Sequence, residues 1–155
     1  MKKTLVSITT FLLLAAILLS GVSCSFFVAR KTSTPINLHL NSTSGLWQNA
    51  FYIADSQIGQ GMNKAVVEVV ADGYIVTITV NSESTNLGEA LLNAGLVDGE
   101  QGPYGLYVKK VNGITADYDI DQSYWAFYIN GELAMTGIDG EEIQEGAIYR
   151  LEYTK

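Results

Sequence analysis

The clearest alternation of apolar and polar positions begins at Ala65. Ala65-Val66-Val67-Glu68-Val69-Val70-Ala71 and Tyr74-Ile75-Val76-Thr77-Ile78-Thr79-Val80 flank Asp72-Gly73. Two β-rich runs around Asp-Gly predict a hairpin with a type I′ turn, because both central residues must take positive φ. A two-residue turn also fixes the register: Ala71 faces Tyr74, Val69 faces Val76, Val67 faces Ile78 and Ala65 faces Val80. That face is wholly apolar. The opposite face sets Glu68 across from Thr77 and Val66 across from Thr79, so it is at least partly wet.

The period then changes. Asn86 followed three residues later by Glu89 is a capping box, and Leu87, Ala90, Leu91 and Ala94 form a helical stripe that Gly95 stops. A helix of two to three turns needs a sheet to pack against. Gly99 to Gly105, with Pro103, reads as a loop. Leu106 to Val111, Asn112-Gly113 and Ile114 to Ala116 predict a second hairpin. Tyr124 to Ile129, Asn130-Gly131 and Glu132 to Thr136 predict a third, and Ala147 to Thr154 a closing strand. Hairpin, helix and further strands in that order give an α+β class with a mixed or antiparallel sheet.

The aromatic residues gather late in the chain. In the third hairpin the turn places Tyr128 opposite Leu133 and Ala126 opposite Met135, a face expected to be core. Trp125, Phe127 and Ile129 then share the other face with Glu132, Ala134 and Thr136. Two large rings beside polar positions are either covered by another part of the chain, residues 25–64 first, or bind something. Tyr124, Trp125, Phe127 and Tyr128 are therefore the candidate ligand or partner surface.

The start of the chain is different in kind. Lys2 and Lys3 precede a stretch without charge from Leu5 to Leu19, followed by the small residues Ser20, Gly21 and Ser23. This is the layout of an export signal over residues 1–23. The single cysteine, Cys24, falls at the junction, as the acylated cysteine of a bacterial lipoprotein does, although Gly21 stands where an aliphatic residue is usual. An ordinary secretory signal cut near Ser23 and an uncleaved anchor are the alternatives. All three export the folded part. Residues 24–64 read as a tether and lead-in that packs loosely, with a short strand at Ile36 to Leu40 and scattered anchors from Trp47 to Ile53; the domain proper is expected over 65–155.

Charge sharpens this picture. Charged residues are 16% of the 155-residue chain, and its formal net charge is −7. Without residues 1–23 there remain 7 basic against 16 acidic residues, a net charge of −9. Such a surface repels phosphate backbones, which excludes nucleic acid as a main partner. Catalytic chemistry is equally thin. One cysteine allows no internal disulfide, and the only histidine, His39, lies outside the patterned domain, so neither a Ser-His-Asp nor a Cys-His arrangement nor a zinc cluster can be assembled there. The glycines near 59–61 and 99–105 lack a following Lys-Ser/Thr, so they make no phosphate loop. Asp117-Tyr118-Asp119-Ile120-Asp121 begins like a calcium loop, but Gln122 and Tyr128 stand where Gly and Glu belong. It reads as an acidic, solvated connection between hairpins. No enzyme, metal or cofactor is expected.

Several of these segments resemble the transcobalamin-like C-terminal domain family: Thr85 to Leu91, Gly105-Leu106-Tyr107-Val108, Asn112 to Tyr118, Ile143 to Gly146 and above all Tyr124-Trp125-Ala126-Phe127-Tyr128-Ile129-Asn130-Gly131. The resemblance covers about residues 65–155. It implies a β-grasp-like fold in an exported bacterial protein of mostly unknown function. In the vertebrate cobalamin carriers the related domain closes over the corrin opposite a helical domain that this chain lacks. The leading expectation is a cell-surface lipoprotein, attached to the membrane through lipid on Cys24, whose domain is a non-catalytic binding or interaction module. The alternative is a binder of cobalamin or a similar planar ligand that assists a membrane transporter.

Overall fold

The structure is a computed structural model and describes residues 45–155. Cys24, His39, the apolar run from 5 to 19 and the short strand expected over 36–40 lie outside the described residues. The rest is mixed α/β, mostly sheet with two short helices. A 3-10 turn at Gly45–Asn49 leads to β1 (Ser56–Gly59), β2 (Asn63–Ala71) and β3 (Tyr74–Ser82). Helix α1 (Leu87–Asn93) follows, then β4 (Val97–Gly102), β5 (Gly105–Val111) and β6 (Ile114–Thr115). Helix α2 (Tyr118–Asp121), β7 (Tyr124–Ile129), β8 (Glu132–Leu133), a 3-10 turn at Ile138–Gly140 and β9 (Ile148–Thr154) complete the order.

Two sheets result. The larger runs β1-β3-β2-β9-β7-β8 and the smaller β4-β5-β6. In the larger sheet β1 lies parallel to β3 and β2 parallel to β9, and the other neighbours are antiparallel. The first hairpin has the expected register throughout, from Ala71 opposite Tyr74 to Ala65 opposite Val80. Asp72 and Gly73 take φ of 49° and 76°, as a type I′ turn demands. Ala65, Val67, Val69, Val76, Ile78 and Val80 are buried.

Helix α1 starts where its cap predicts, with Asn86 Oδ1 accepting from Glu89 N at 3.0 Å. The return half of the box runs through a third residue. Ser84 Oγ donates to the Glu89 carboxylate at 2.8 Å and accepts from Asn86 N at 3.1 Å. Leu87, Ala90 and Leu91 are buried and Ala94 is half-buried. The helix packs on β3, β4 and the second 3-10 turn. Its first turn approaches that 3-10 turn so closely that a Cβ on Gly88 would lie 2.7 Å from Asp139 Cα. The core lies between the inner face of the large sheet and a second layer made of α1 and the small sheet, from which Leu87, Leu91, Val97, Val111 and Ile114 contribute.

Three expectations are corrected. The loop over Gly99 to Gly105 is mostly strand: Val97–Gly102 pairs with β5 around Pro103-Tyr104, with a register shift between Asp98 and Gly99. Its Asp-Gly-Glu-Gln-Gly sequence has no apolar alternation, because outside Val97 this edge strand buries little. The acidic connection at 117–121 is a single helical turn, closed by Asp117 Oδ1 accepting from Asp119 N at 3.0 Å and by Gln122 in the left-handed region.

The lead-in is the third. Over its described part it is structural: Trp47 is fully buried, and its Nε1 donates to Ala71 O at 2.9 Å. Asn112 Oδ1 accepts from Tyr52 N at 2.9 Å, and its Nδ2 donates to Tyr52 O at 2.7 Å. Gly113, at φ 81°, sits where a Cβ would meet Asn49 O at 2.1 Å. The turn of the second hairpin is thus a socket for residues 49–52, and β1 extends the large sheet beyond β3. The folded unit therefore begins at or before Gly45, not at Ala65.

Candidate functional site

The four aromatic residues singled out on β7 do not share a surface. Trp125 and Phe127 point into the core and are buried, whereas Tyr124 is exposed and Tyr128 half-buried on the outer side. The expected core face is inverted. Trp125 stands opposite Tyr153 with ring centroids 5.7 Å apart, edge to face, and Phe127 stacks on Tyr149 at 6.3 Å. Strand β9, with Leu151 and Tyr149 buried, decides which face of β7 turns inward. β8 has only two residues and ends before Met135 could face Ala126; Leu133 and Met135 are exposed. Among the described residues the inner rings face the small sheet, whose β5 packs against β7.

Tyr124 instead joins a different group. An open concavity of about 560 Å³ is lined by Tyr107 of β5, Asp117, Tyr118 and Asp119 around the start of α2, and Tyr124 of β7. Its volume lies within the roughly 300–1,000 Å³ of small-molecule clefts. All three tyrosines are exposed. The position of α2 follows from its ends. Ser123 Oγ accepts from Asp117 N at 2.9 Å and donates to the Asp121 carboxylate. That hydroxyl, with Lys155 Nζ at 3.1 Å, holds the Asp121 carboxyl down at about 2.

The field in the concavity is negative. Lys109, a cation within the field of Asp117 and Asp119, is tied to Glu100 at 2.9 Å. The hydrogen bond to Glu100 raises Lys109 above the usual lysine range, and the charges of Glu100, Asp117 and Asp119 add to this. The outer face of the large sheet is closer to neutral: Arg150 Nε donates to Glu68 at 2.8 Å across β9 and β2, with Tyr128 on the other side of Arg150. A second, larger depression of about 630 Å³ near Met62, Lys64, Ile143 and Glu145 has no aromatic side chain. Among the described residues no three His, Cys, Asp or Glu side chains gather so as to hold a metal ion.

Tyr107, Tyr118, Asp117 and Asp119 were thus missed as site residues, and Tyr124 was found for a face it does not share with Trp125. The available signal was Tyr107 alternating with the apolar Leu106 and Val108. No spacing reveals that it meets Tyr124, because the two belong to different sheets.

Comparison with known proteins gives these residues a context. Residues 84–155 match the family described as a domain of unknown function (DUF4430). Among solved structures, a proposed metal-binding protein from Ruminococcus gnavus ATCC 29149 is 30% identical with a TM-score of 0.56, over 61% of this chain and 98% of that one. Haptocorrin, solved in complex with Cbi, is 16% identical with a TM-score of 0.48, over 60% of this chain and 25% of its own. No curated protein matches the chain. With that identity across nearly the whole Ruminococcus gnavus chain, this protein belongs to one family with it.

Proposed function

We propose that this chain is a non-catalytic ligand-binding module held outside the cell by lipid on Cys24, with its ligand seated in the Tyr107–Tyr118–Tyr124 concavity. The observation that carries the reading is the concavity itself: three exposed rings and two carboxylates drawn from three elements around one open volume of about 560 Å³. Exposed aromatic side chains grouped in a cleft cost solvation and are retained where something covers them. The export reading is supported by the basic start, the apolar run and the position of Cys24. A β-grasp-like fold is supported by the sheet order, in which the last strand lies parallel to the first strand of the hairpin and α1 covers one face.

Two ligand readings accompany this one. A corrinoid is favoured by the Tyr124 to Gly131 block and its family resemblance. A metal ion is favoured by the description of the Ruminococcus gnavus relative. Titrating the full chain with cobalamin, and separately with calcium, while following backbone amide shifts and the corrin spectrum tests all of this. Saturable shifts at Tyr107, Tyr118 and Tyr124 support the site. Saturable binding that leaves those residues unmoved overturns it, and silence at millimolar cobalamin removes the corrinoid. Lipid labelling that persists in Cys24→Ala would overturn the anchor.

A further inference from the structure

Resting on the ligand-site reading of that concavity, we infer that its ligand is an organic cation, an alkylammonium head that sits among Tyr107, Tyr118 and Tyr124 with Asp117 and Asp119 as its counter-charges. Among the described residues its lining is Tyr107, Tyr118 and Tyr124 with Asp117 and Asp119. An aromatic ring presents a negative face to a cation, and a carboxylate adds a full charge. A neutral apolar guest would strip water from both aspartates and return no partner to them.

The aspartates are free to act in this way. Asp117 uses one oxygen to cap α2, accepting from Asp119 N at 3.0 Å, and Asp119 makes no side-chain hydrogen bond among the described residues. The Lys109 ammonium is held by Glu100 at 2.9 Å, so it offsets that carboxylate first. It reports on the field of the aspartates, because both help to keep its proton on. Counting Asp117, Asp119 and Glu100 against Lys109, the region is net negative, within a chain whose formal charge is already −7. These charges disfavour an anion within a Debye length of the concavity.

The test uses the full chain, amide and tyrosine ring NMR signals, and choline as probe, with 3,3-dimethylbutan-1-ol as the uncharged molecule of the same shape. Choline shifts Tyr107, Tyr118 and Tyr124 saturably, and the alcohol binds at least tenfold more weakly. Tyr118→Ala and Asp119→Asn each weaken choline by about two- to fivefold, the size of an exposed cation–ring contact. Tyr104→Ala, at an exposed residue outside the concavity, leaves choline binding unchanged. Phosphocholine identifies the source: binding as tight as choline points to a lipid or polymer headgroup, and exclusion by the aspartates points to a free amine. Equal binding of the alcohol, or shifts with glucose and none with choline, overturns the cation while the site stands. No shift with choline at millimolar concentration also overturns it; if cobalamin and calcium are silent there too, the site itself falls.

Discussion

Asn112-Gly113 and Asn130-Gly131 are the same turn in two settings, and comparing them measures how firmly residues 49–52 belong to the domain. Both asparagines have φ of 51°, so Asn→Gly keeps the backbone conformation in each and changes unfolded-chain entropy equally. The surroundings differ. Asn130 Oδ1 accepts one exposed hydrogen bond, from Ile148 N at 3.0 Å. Asn112 is fully buried and makes two, at 2.9 and 2.7 Å, to the N–H and C=O of Tyr52. A net bond contributes about 1 kcal/mol, and a backbone group left buried without a partner adds about 1–3 kcal/mol. Tyr52 is half-buried, which places each of its two groups at the low end of that range. Asn112→Gly is therefore expected to cost about 2–4 kcal/mol, and Asn130→Gly about 1 kcal/mol or less. At roughly 4 °C per kcal/mol this is a fall in Tm of about 8–16 °C against a few degrees. Denaturant titration and calorimetry of the two variants give the difference directly. Hydrogen exchange at residues 49–53 is expected to quicken in Asn112→Gly alone. Equal losses in the two variants, within about 0.5 kcal/mol, would refute the argument that this turn is a socket.

Three further outcomes follow from particular contacts. Trp47→Ala is expected to lose about 3–5 kcal/mol, and Trp47→Phe about 1–2 kcal/mol through the bond to Ala71 O; a loss below 1 kcal/mol for the alanine variant in urea unfolding would return this region to a loose lead-in. Gly88→Ala, which in an exposed helix interior stabilises by about 0.5–1 kcal/mol, should here destabilise, because the new methyl meets backbone at 2.7 Å; a raised Tm would contradict this. Ser123→Ala is expected to move the Asp121 carboxyl from about 2 up towards its ordinary 3.8, followed by carbon NMR of the carboxyl. The sign is that of a depressed acid: its stabilising contribution is complete above pH 3.8 and fades as pH falls towards about 2. An unmoved midpoint would show that Lys155 and the backbone N–H of residue 123 set the shift without the hydroxyl.

What could be read from the sequence was what local chemistry decides. Asp72-Gly73, Asn112-Gly113 and Asn130-Gly131 fixed turn and register together, and Asn86 fixed the start of α1. Elements whose identity comes from distant partners were hidden. β4 is a strand because β5 lies beside it, and its Asp-Gly-Glu-Gln-Gly carries no alternation. β1 is four residues that add to β3 from the far side of the hairpin, and Trp47 is core because the end of β2 offers it Ala71 O. The inversion at β7 has the same origin. β8 is the neighbour of β7 along the chain, but β9 contributes the buried Tyr149 and Leu151. The site followed suit: Tyr124 was visible, but its companions arrive from another sheet and a helical turn.

The parallel pairing of β2 with β9 sets the order in which this molecule can assemble. β9 lies between β2 and β7, so the two halves of the large sheet have no direct contact until Ile148–Thr154 slide in. The first hairpin and α1 can form from neighbouring residues, but the valines of β2 stay unsupported until a segment some eighty positions later reaches them. Such closure is slow, in the range of milliseconds to seconds. The large sheet therefore cannot close until that strand has been made and docked, however early the first hairpin forms.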